Sequence, residues 1–282
     1  MVVAARGCNA PQVDRGLQGE LVRADLEQRD PAYVAALVPT LGGLVRRWFR
    51  SEVRGMDRVP GEGGALIASN HSGGLVAMDV PILAAAFVEE FGPERPLYVL
   101  APDLLLNSVA SAFFRRCGFL AATSANTDAV LSSGGVTIVF PGGEYDAARP
   151  TAKANVIDFG GRTDYVRTAV ANGVPIVPVV SIGGQEAQLH LARGSRLGRL
   201  TRGRVRVPYL PVSFGFPFGL SVGVPPNLPL PTKITTQVLE PVDVVAEFGP
   251  DPDVAEVDAF VRGLMQDALD ELKRQRRFPV LG

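Results

Sequence analysis

The sequence predicts an α/β fold in which a mixed, mostly parallel central sheet is flanked by helices and preceded by an N-terminal helical appendage. Short apolar runs of strand length alternate with helix-length segments from residue 53 onward. Such alternation indicates a sheet that is covered on both faces. A chain of 282 residues is also long enough to bury a full core. We expect an N-terminal helical segment over residues 1–50 and a main domain over residues 51–282.

The N-terminal segment fits two environments. Residues 17–50 have a helical pattern and end in the cluster RRWFR at residues 46–50. An apolar helix with arginines and a tryptophan is typical of a membrane interface, and the same pattern fits a helix packed on its own domain. The apolar stretch at residues 33–45 is interrupted by one proline and two glycines, and it is shorter than the ~20 residues that a spanning helix needs. We therefore expect no transmembrane segment.

Strands and helices of the main domain follow one another in a regular order. We predict strands at residues 65–69 (ALIAS), 96–101, 135–144 (which runs into a glycine turn) and 174–183. We predict helices at residues 80–91, 104–118, 163–173 and 253–275. The last of these carries apolar side chains at helical spacing, which indicates a face turned toward the core.

Composition argues against some classes of protein. The formal net charge is −1, whereas a nucleic-acid-binding chain is usually basic overall. Cys8 and Cys117 are too few for a disulfide framework, and this scarcity is typical of a reducing compartment. We expect a cytoplasmic protein with no nucleic-acid partner.

One of the two histidines occupies a position typical of a functional residue. His71 comes two residues after the predicted strand at residues 65–69, and ligands of α/β sheets gather where strands end. Gly73 and Gly74 allow a tight turn and the close approach of another molecule. Asp79 precedes a valine and a proline, as a helix N-cap does. A lone histidine is more often a hydrogen-bonded core residue, but a capping carboxylate can also orient an imidazole.

Four ordered blocks resemble a known family. They are Asn70-His71 with a following aspartate, GFLAAT at residues 118–123, FPGGEYDAARP at residues 140–150, and VPIVPVV at residues 174–180. Together, over residues 53–181, they resemble the motifs of the glycerolipid acyltransferases, the group that contains the lysophosphatidic acid acyltransferases. The resemblance implies that residues 51–282 form an acyltransferase catalytic domain.

The resemblance implies transfer of a fatty acyl group from acyl-CoA or acyl carrier protein to a lipid alcohol, such as an acylglycerol or a lysophospholipid. In this chemistry His71 takes the proton from the acceptor hydroxyl, and Asp79 orients the ring and stabilises the imidazolium. We expect no cofactor, with acyl-CoA as co-substrate, and no metal, because His71 and His190 lie far apart in the sequence. His190 stays unassigned. We expect substrate contacts from Asn70, Ser72, Gly73, Gly74, Gly142, Gly143, Glu144 and Arg149.

Departures from the family pattern leave the acceptor open. His71 and Asp79 are separated by seven residues where the family commonly has four. Ser124 and the pair Glu144-Tyr145 replace arginines with which the family often holds a glycerol phosphate. Their loss favours a neutral acceptor, although Arg149 could replace one of them and keep a phosphate acceptor possible. The same departures motivate an alternative, a non-catalytic lipid-binding module on the acyltransferase fold.

A basic run beside a long uncharged stretch indicates contact with a membrane. Residues 193–206 contain six arginines and no acid, and residues 207–232 contain no charged residue but seven prolines and three glycines. The prolines exclude a regular spanning helix. We expect an irregular apolar surface that reaches the headgroup region, which would make the protein peripheral on the cytosolic face of a membrane. A buried loop layer with a solvated basic face is the alternative.

Overall fold

A mostly parallel sheet lies at the centre of the fold. The computed structural model describes residues 15–72, 77–195, 198, 209–223, 227–278 and 280. The strands are β1 (Glu52–Arg54), β2 (Ala65–Ser69), β3 (Leu97–Ala101), β4 (Phe119–Ala121), β5 (Val136–Val139), β6 (Ile176–Ile182), β7 (Leu189–Ala192), β8 (Val212–Gly215), β9 (Gly219–Val222) and β10 (Thr235–Val238). The main sheet has the order β1-β10-β6-β2-β5-β3-β4, and all its neighbours pair in parallel except β10 with β6. The predicted fold class is confirmed.

Helices cover both faces of this sheet. They are α1 (Arg15–Leu26), α2 (Pro31–Leu37), α3 (Gly43–Phe49), α4 (Asp79–Phe91), α5 (Asp103–Leu106), α6 (Ser111–Arg116), α7 (Ser124–Ser132), α8 (Gly143–Ala147), α9 (Asp164–Asn172), α10 (Gly184–Ala187), α11 (Val244–Phe248) and α12 (Val254–Gln275). Successive strand residues point to opposite faces. Leu66 and Ala68 of β2 therefore pack in the core with α9, α11 and α12. Ala65 and Ile67 pack in the core with α4.

The N-terminal helices pack on the main domain. A π-helical segment at Val38–Gly42 joins α2 to α3. Val45 and Phe49 of α3 share a buried cluster with Ile82 of α4 and with Ile234. Helix α3 ends at Phe49, next to the expected boundary at residue 50. Among the described residues, no helix is both long and apolar enough to cross a membrane.

One predicted helix is interrupted in the structure. The helix expected over residues 104–118 is two short helices, α5 and α6. The hydroxyl of Ser108 donates to the carbonyl of Leu105 (2.7 Å) and accepts from the N–H of Ala110 (3.3 Å). A serine that bonds to nearby backbone in this way competes with helical hydrogen bonds and interrupts the helix.

The uncharged stretch at residues 207–232 contains regular structure where the sequence predicts an irregular surface. Strands β8 and β9 form a hairpin, and β7 pairs antiparallel with β8 to make a separate three-stranded sheet. Pro211 and Pro217 stand at the two ends of β8, where a missing N–H does not interrupt the ladder. Of the arginine-rich run at residues 193–206, only residues 193–195 and 198 are described.

Candidate active site

His71 lies where the carboxyl ends of three parallel strands meet. It follows β2, which is flanked by β5 and β6 in the sheet. Asn70 fixes this end of β2, because its amide nitrogen donates to the carbonyl of Ser181 on β6 (2.9 Å) and its amide oxygen accepts from the N–H of Ser181 (2.7 Å). Asn70, expected to contact substrate, therefore uses its side chain to hold two strands together behind His71.

The imidazole of His71 pairs with the carboxylate of Asp79. Nδ1 of His71 lies 3.3 Å from Oδ2 of Asp79, across the seven intervening residues. The same Oδ2 accepts from the N–H of Ser72 (2.9 Å), and Oδ1 accepts from the N–H of Val80 (3.1 Å). Helix α4 begins at Asp79 itself, so this residue is the first helical residue and Met78 occupies the N-cap position. The carboxylate is thus fixed by two backbone N–H groups and turned toward the ring.

The His71 ring is held on one face, and its second nitrogen has no hydrogen-bond partner among the described residues. It stacks on Phe140, with ring centroids 4.3 Å apart and an interplanar angle of 21°. The side chain is 15% exposed, whereas that of Asp79 is 3% exposed. With Nδ1 directed at the carboxylate, Nδ1–H donates and Nε2 carries the lone pair, as in a general base oriented by an acid.

A second carboxylate, which the sequence reasoning missed, supports His71 from behind. Oδ2 of Asp146 accepts from the backbone N–H of His71 (2.7 Å). Oδ1 of Asp146 accepts from Nε (2.9 Å) and Nη2 (2.7 Å) of Arg149, and Nη2 also reaches the carbonyl of Asp158 (2.8 Å). Arg149 is only 2% exposed. Its guanidinium is occupied within the protein, so the contact with substrate expected of Arg149 stays a prediction.

Charge around the imidazole raises its pKa. Burial alone lowers the pKa of His71, but the charge and hydrogen bond of Asp79, together with the charge of Asp146, outweigh burial and move the pKa above its ordinary value of 6.5. Burial also raises the pKa of Asp146, against the opposing effects of Arg149 and of the His71 N–H. A base of this kind is neutral, and therefore active, only at pH values above its raised pKa.

We predict a pH dependence that Asp79 controls. The acid limb of the kcat/KM profile should lie above pH 6.5 in the wild-type protein, since the imidazole must lose its proton to act. In Asp79→Asn the residual activity should show this limb at lower pH, because the carboxylate charge that raises the pKa is gone. Asp57→Asn, at an exposed acid, is the control and should leave the limb in place. An unmoved limb in Asp79→Asn would contradict the pairing.

The turn after β5 requires both of its glycines. Gly143 has φ of +45°, and a Cβ there would lie 2.7 Å from Nη1 of Arg162. At Gly142 a Cβ would lie 2.5 Å from the Cβ of Asp146. The N–H of Gly143 donates to the carbonyl of Phe140 (2.8 Å). An oxyanion contact from this turn therefore depends on the N–H of Gly142.

Two arginines from later in the chain lie beside this turn. Nη1 of Arg162 donates to the carbonyl of Gly142 (2.9 Å), and Arg162 is exposed. The guanidinium of Arg193 lies 3.7 Å from the ring centroid of Tyr145. Glu144, in the first turn of α8, is exposed. Both arginines lie outside the block at residues 140–150, so the sequence alone does not indicate that they lie near it. Their proximity is visible only in the folded chain.

The remaining predicted residues have varied surroundings. Ser72 is buried close to α10, since a Cβ on Gly184 would lie 2.5 Å from the Ser72 carbonyl oxygen. Gly73 and Gly74 lie outside the described residues. His190 is buried in β7, burial lowers its pKa, and its ring nitrogens have no partner among the described residues. Within the described part of the chain, no group of three or more histidine, cysteine or acidic side chains could hold a metal.

An apolar cavity lies between the N-terminal helices and α4, the helix that begins at Asp79. Its volume is about 440 Å³, within the range of ~300–1,000 Å³ that is usual for small-molecule sites. Met78 and Val80, the two neighbours of Asp79, form part of its wall. Leucine, valine and phenylalanine side chains from α2, α3, α6, β3 and β4 form much of the rest, including Leu37, Val45, Val99, Phe113 and Phe119. The shape and lining suit a flexible hydrocarbon chain.

The comparisons with known proteins concern the family of the whole chain. A family model described as Acyltransferase matches residues 50–182. The chain is 32% identical over 254 residues to "Uncharacterized protein Rv0502" of Mycobacterium tuberculosis, which covers 88% of this chain and 69% of that protein. It is 28% identical over 194 residues to "DGAT1/2-independent enzyme synthesizing storage lipids" of Bos taurus, which covers 68% of this chain and 56% of that protein.

A solved structure has the same fold. The crystal structure of the 1-acyl-sn-glycerophosphate (LPA) acyltransferase PlsC from Thermotoga maritima superposes with a TM-score of 0.51 at 17% identity, covering 93% of this chain and all of that one. The family model and the fold identify the chain as an acyltransferase. The chain belongs to the glycerolipid acyltransferase family, whose activity uses an acyl donor and a lipid acceptor.

Proposed function

We propose that this chain is an O-acyltransferase that moves a fatty acyl group from an acyl thioester, acyl-CoA or acyl carrier protein, to the hydroxyl of a neutral acylglycerol. The observation that carries the proposal is the His71–Asp79 pair, in which Nε2 of the ring has no hydrogen-bond partner among the described residues. An apolar cavity, walled in part by the neighbours of Asp79, supports it.

The reaction needs one base and no covalent enzyme intermediate. Nε2 of His71 removes the proton of the acceptor hydroxyl as its oxygen attacks the thioester carbonyl carbon. The new C–O bond forms, the C–S bond breaks, and the imidazolium returns its proton to the departing thiolate. Asp79 stabilises the imidazolium between these two steps. In the proposed reaction the N–H of Gly142 donates to the developing oxyanion.

The acyl chain of the donor would lie in the apolar cavity. Each buried methylene contributes about 0.8 kcal/mol, so burial of a fatty acyl chain in this cavity would help to hold the donor. Arg162 and Arg193, near the glycine turn, supply positive charge that suits the phosphates of either donor. No other cofactor enters the proposed reaction.

The surroundings of Arg149 support a neutral acceptor. This arginine is committed to Asp146, so it does not stand free to replace the phosphate-binding arginines that the family blocks lack here. Glu144 is exposed at the turn and can accept from a hydroxyl, whereas it would repel a phosphate. The Bos taurus relative, of which this chain matches 56%, is named for the synthesis of storage lipids.

An acceptor comparison tests the proposal. Purified protein with labelled palmitoyl-CoA should form product faster with monoacylglycerol than with lysophosphatidic acid, and it should release one free thiol per product formed. A clear preference for lysophosphatidic acid would contradict the neutral acceptor. Binding of the acyl chain without thiol release would instead support the non-catalytic lipid-binding module.

We place this reaction at the cytosolic face of a membrane, with the protein bound peripherally. Acylglycerols and their acylated products reside in lipid, so the active site needs access to a lipid phase. The N-terminal segment (residues 1–50), whose helix α3 lines the cavity, is the proposed membrane-interface element next to the catalytic domain.

A further inference from the structure

The small sheet β7-β8-β9 has its apolar side chains outside and its polar side chains inside. Leu189 pairs with Phe214, and Phe214 pairs with Leu220 in the next strand. All three side chains are exposed, Phe214 to 54% and Leu220 to 65%. An antiparallel sheet in water normally shows the opposite alternation, with apolar residues against the core. This face is therefore not adapted to water.

The opposite face of the sheet is polar and largely buried. His190 pairs with Ser213, and Ser213 pairs with Ser221. The two serine hydroxyls lie 3.3 Å apart, and the amide nitrogen of Asn227 donates to Ser221 (3.1 Å) and to the carbonyl of Gly219 (3.0 Å). These hydrogen bonds fix which face turns inward. The orientation of the apolar face is thus built into the fold.

Neighbouring elements extend the apolar face. Phe216 and Phe218 stand exposed in the turn between β8 and β9. The indole N–H of Trp48 donates to the carbonyl of Pro229 (3.1 Å), which joins the outer side of α3 to the segment after the hairpin. Leu44, one turn before Trp48, is also exposed. A tryptophan with one polar bond and an otherwise apolar ring is typical of a bilayer interface.

Charge identifies the occupant of this face. Residues 187–239 contain seven lysines and arginines and no aspartate or glutamate, although the whole chain has a net charge of −1. The stretch of sequence that forms the small sheet is therefore strongly basic, and a basic segment is complementary to anionic lipid headgroups. A second copy of the chain is disfavoured, because a symmetric contact would bring two basic regions together.

We propose that the outer face of this sheet docks on an anionic lipid bilayer. We call it the docking face and define it by Leu189, Phe214, Phe216, Phe218, Leu220 and Val222. The phenylalanines of the hairpin enter the headgroup region, and the basic composition of the same stretch favours anionic lipid. This inference deepens the proposed function and rests on it in one respect, because an enzyme that acts on acylglycerols needs a lipid surface. The docking itself is measured without catalysis.

Vesicle co-sedimentation tests the docking face. The full chain should bind vesicles of phosphatidylcholine mixed with phosphatidylglycerol more strongly than vesicles of phosphatidylcholine alone, and added salt should weaken the binding. The double variant Phe218→Ser/Leu220→Ser should lower vesicle affinity about tenfold or more, because each side chain loses apolar burial in lipid. The control Val245→Ser/Phe260→Ser removes two exposed apolar side chains from α11 and α12, on the other face of the main sheet, and should bind as the wild type does.

Other outcomes would overturn the inference. Equal vesicle affinity of the hairpin variant and the wild type, with both folded by circular dichroism, would exclude bilayer docking by this face. A change from dimer to monomer without a change in vesicle binding would make it a protein interface. Transfer assays on detergent-dispersed substrates separate this inference from the proposed function. Vesicle binding that depends on the hairpin in a protein without transferase activity would leave the docking face intact and contradict the reaction.

Discussion

Replacement of His71 by alanine is expected to lower kcat/KM for acyl transfer by about 10²–10⁴, the usual contribution of a general base. The side chain is partly exposed and contacts chiefly Phe140 and Asp79, so the melting temperature should change little. Product formation from labelled palmitoyl-CoA and monoacylglycerol, measured beside a thermal unfolding curve, checks both expectations.

The second histidine supplies a control of the same residue type. His190 is buried in β7, and it lies outside the proposed catalytic pair. His190→Gln should retain activity per folded molecule, even where loss of packing lowers the melting temperature. The opposite pattern, with retained activity and a large loss of stability in His71→Ala, would make His71 a structural histidine and remove the proposed base.

The sequence predicts the main sheet well because its signals are local. Strands such as β2 and β6 are continuous apolar runs that only a sheet covered on both faces can bury, and each is bounded by glycine or proline. Helix α7 escapes prediction because its start depends on Thr123, whose hydroxyl accepts from the N–H of Asn126 (3.2 Å) within a stretch of weak apolar periodicity.

The three-stranded sheet is missed for a different reason. Its strands are short, with Pro211, Pro217 and Gly219 at their ends, which is a composition typical of loops. Their alternation is present, but it places serines inside and phenylalanines outside, contrary to the rule by which strands are recognised. The local sequence thus contains the alternation, and only the packing shows which face is buried.

The residues of the candidate site also differ in how far the local sequence reveals them. His71 and Asp79 can be predicted because both stand in one segment after a strand. Asp146 cannot, since its contact with His71 arises only where α8 packs behind the end of β2, between residues separated by 75 positions. Arg149 is recognisable as a cation of the third block, but its commitment to Asp146 becomes visible only in the folded chain. Which charges face substrate and which face each other is decided by tertiary packing.

Removal of the Asp146 carboxylate is expected to lower the free energy of unfolding by about 3–5 kcal/mol, the usual cost of breaking a buried ion pair by deleting one partner. In Asp146→Ala the charge of Arg149 would remain buried without the carboxylate oxygen that accepts from two of its nitrogens, and the N–H of His71 would lose its partner. Since the whole domain is stable by only about 5–15 kcal/mol, the midpoint of urea unfolding should fall markedly.

Two further variants distinguish the effect of breaking this buried ion pair from the effect of breaking an exposed one. Asp25→Ala breaks the partly exposed contact with Arg115 (3.0 Å) and should cost about 0–1 kcal/mol. The double variant Asp146→Ala/Arg149→Met removes both charges and should recover part of the stability lost in Asp146→Ala, because no unpaired charge remains. It should not recover activity, since the acceptor that holds the backbone of His71 is still absent. Full activity in the stable double variant would show that Asp146 serves the fold alone and does not position the proposed base.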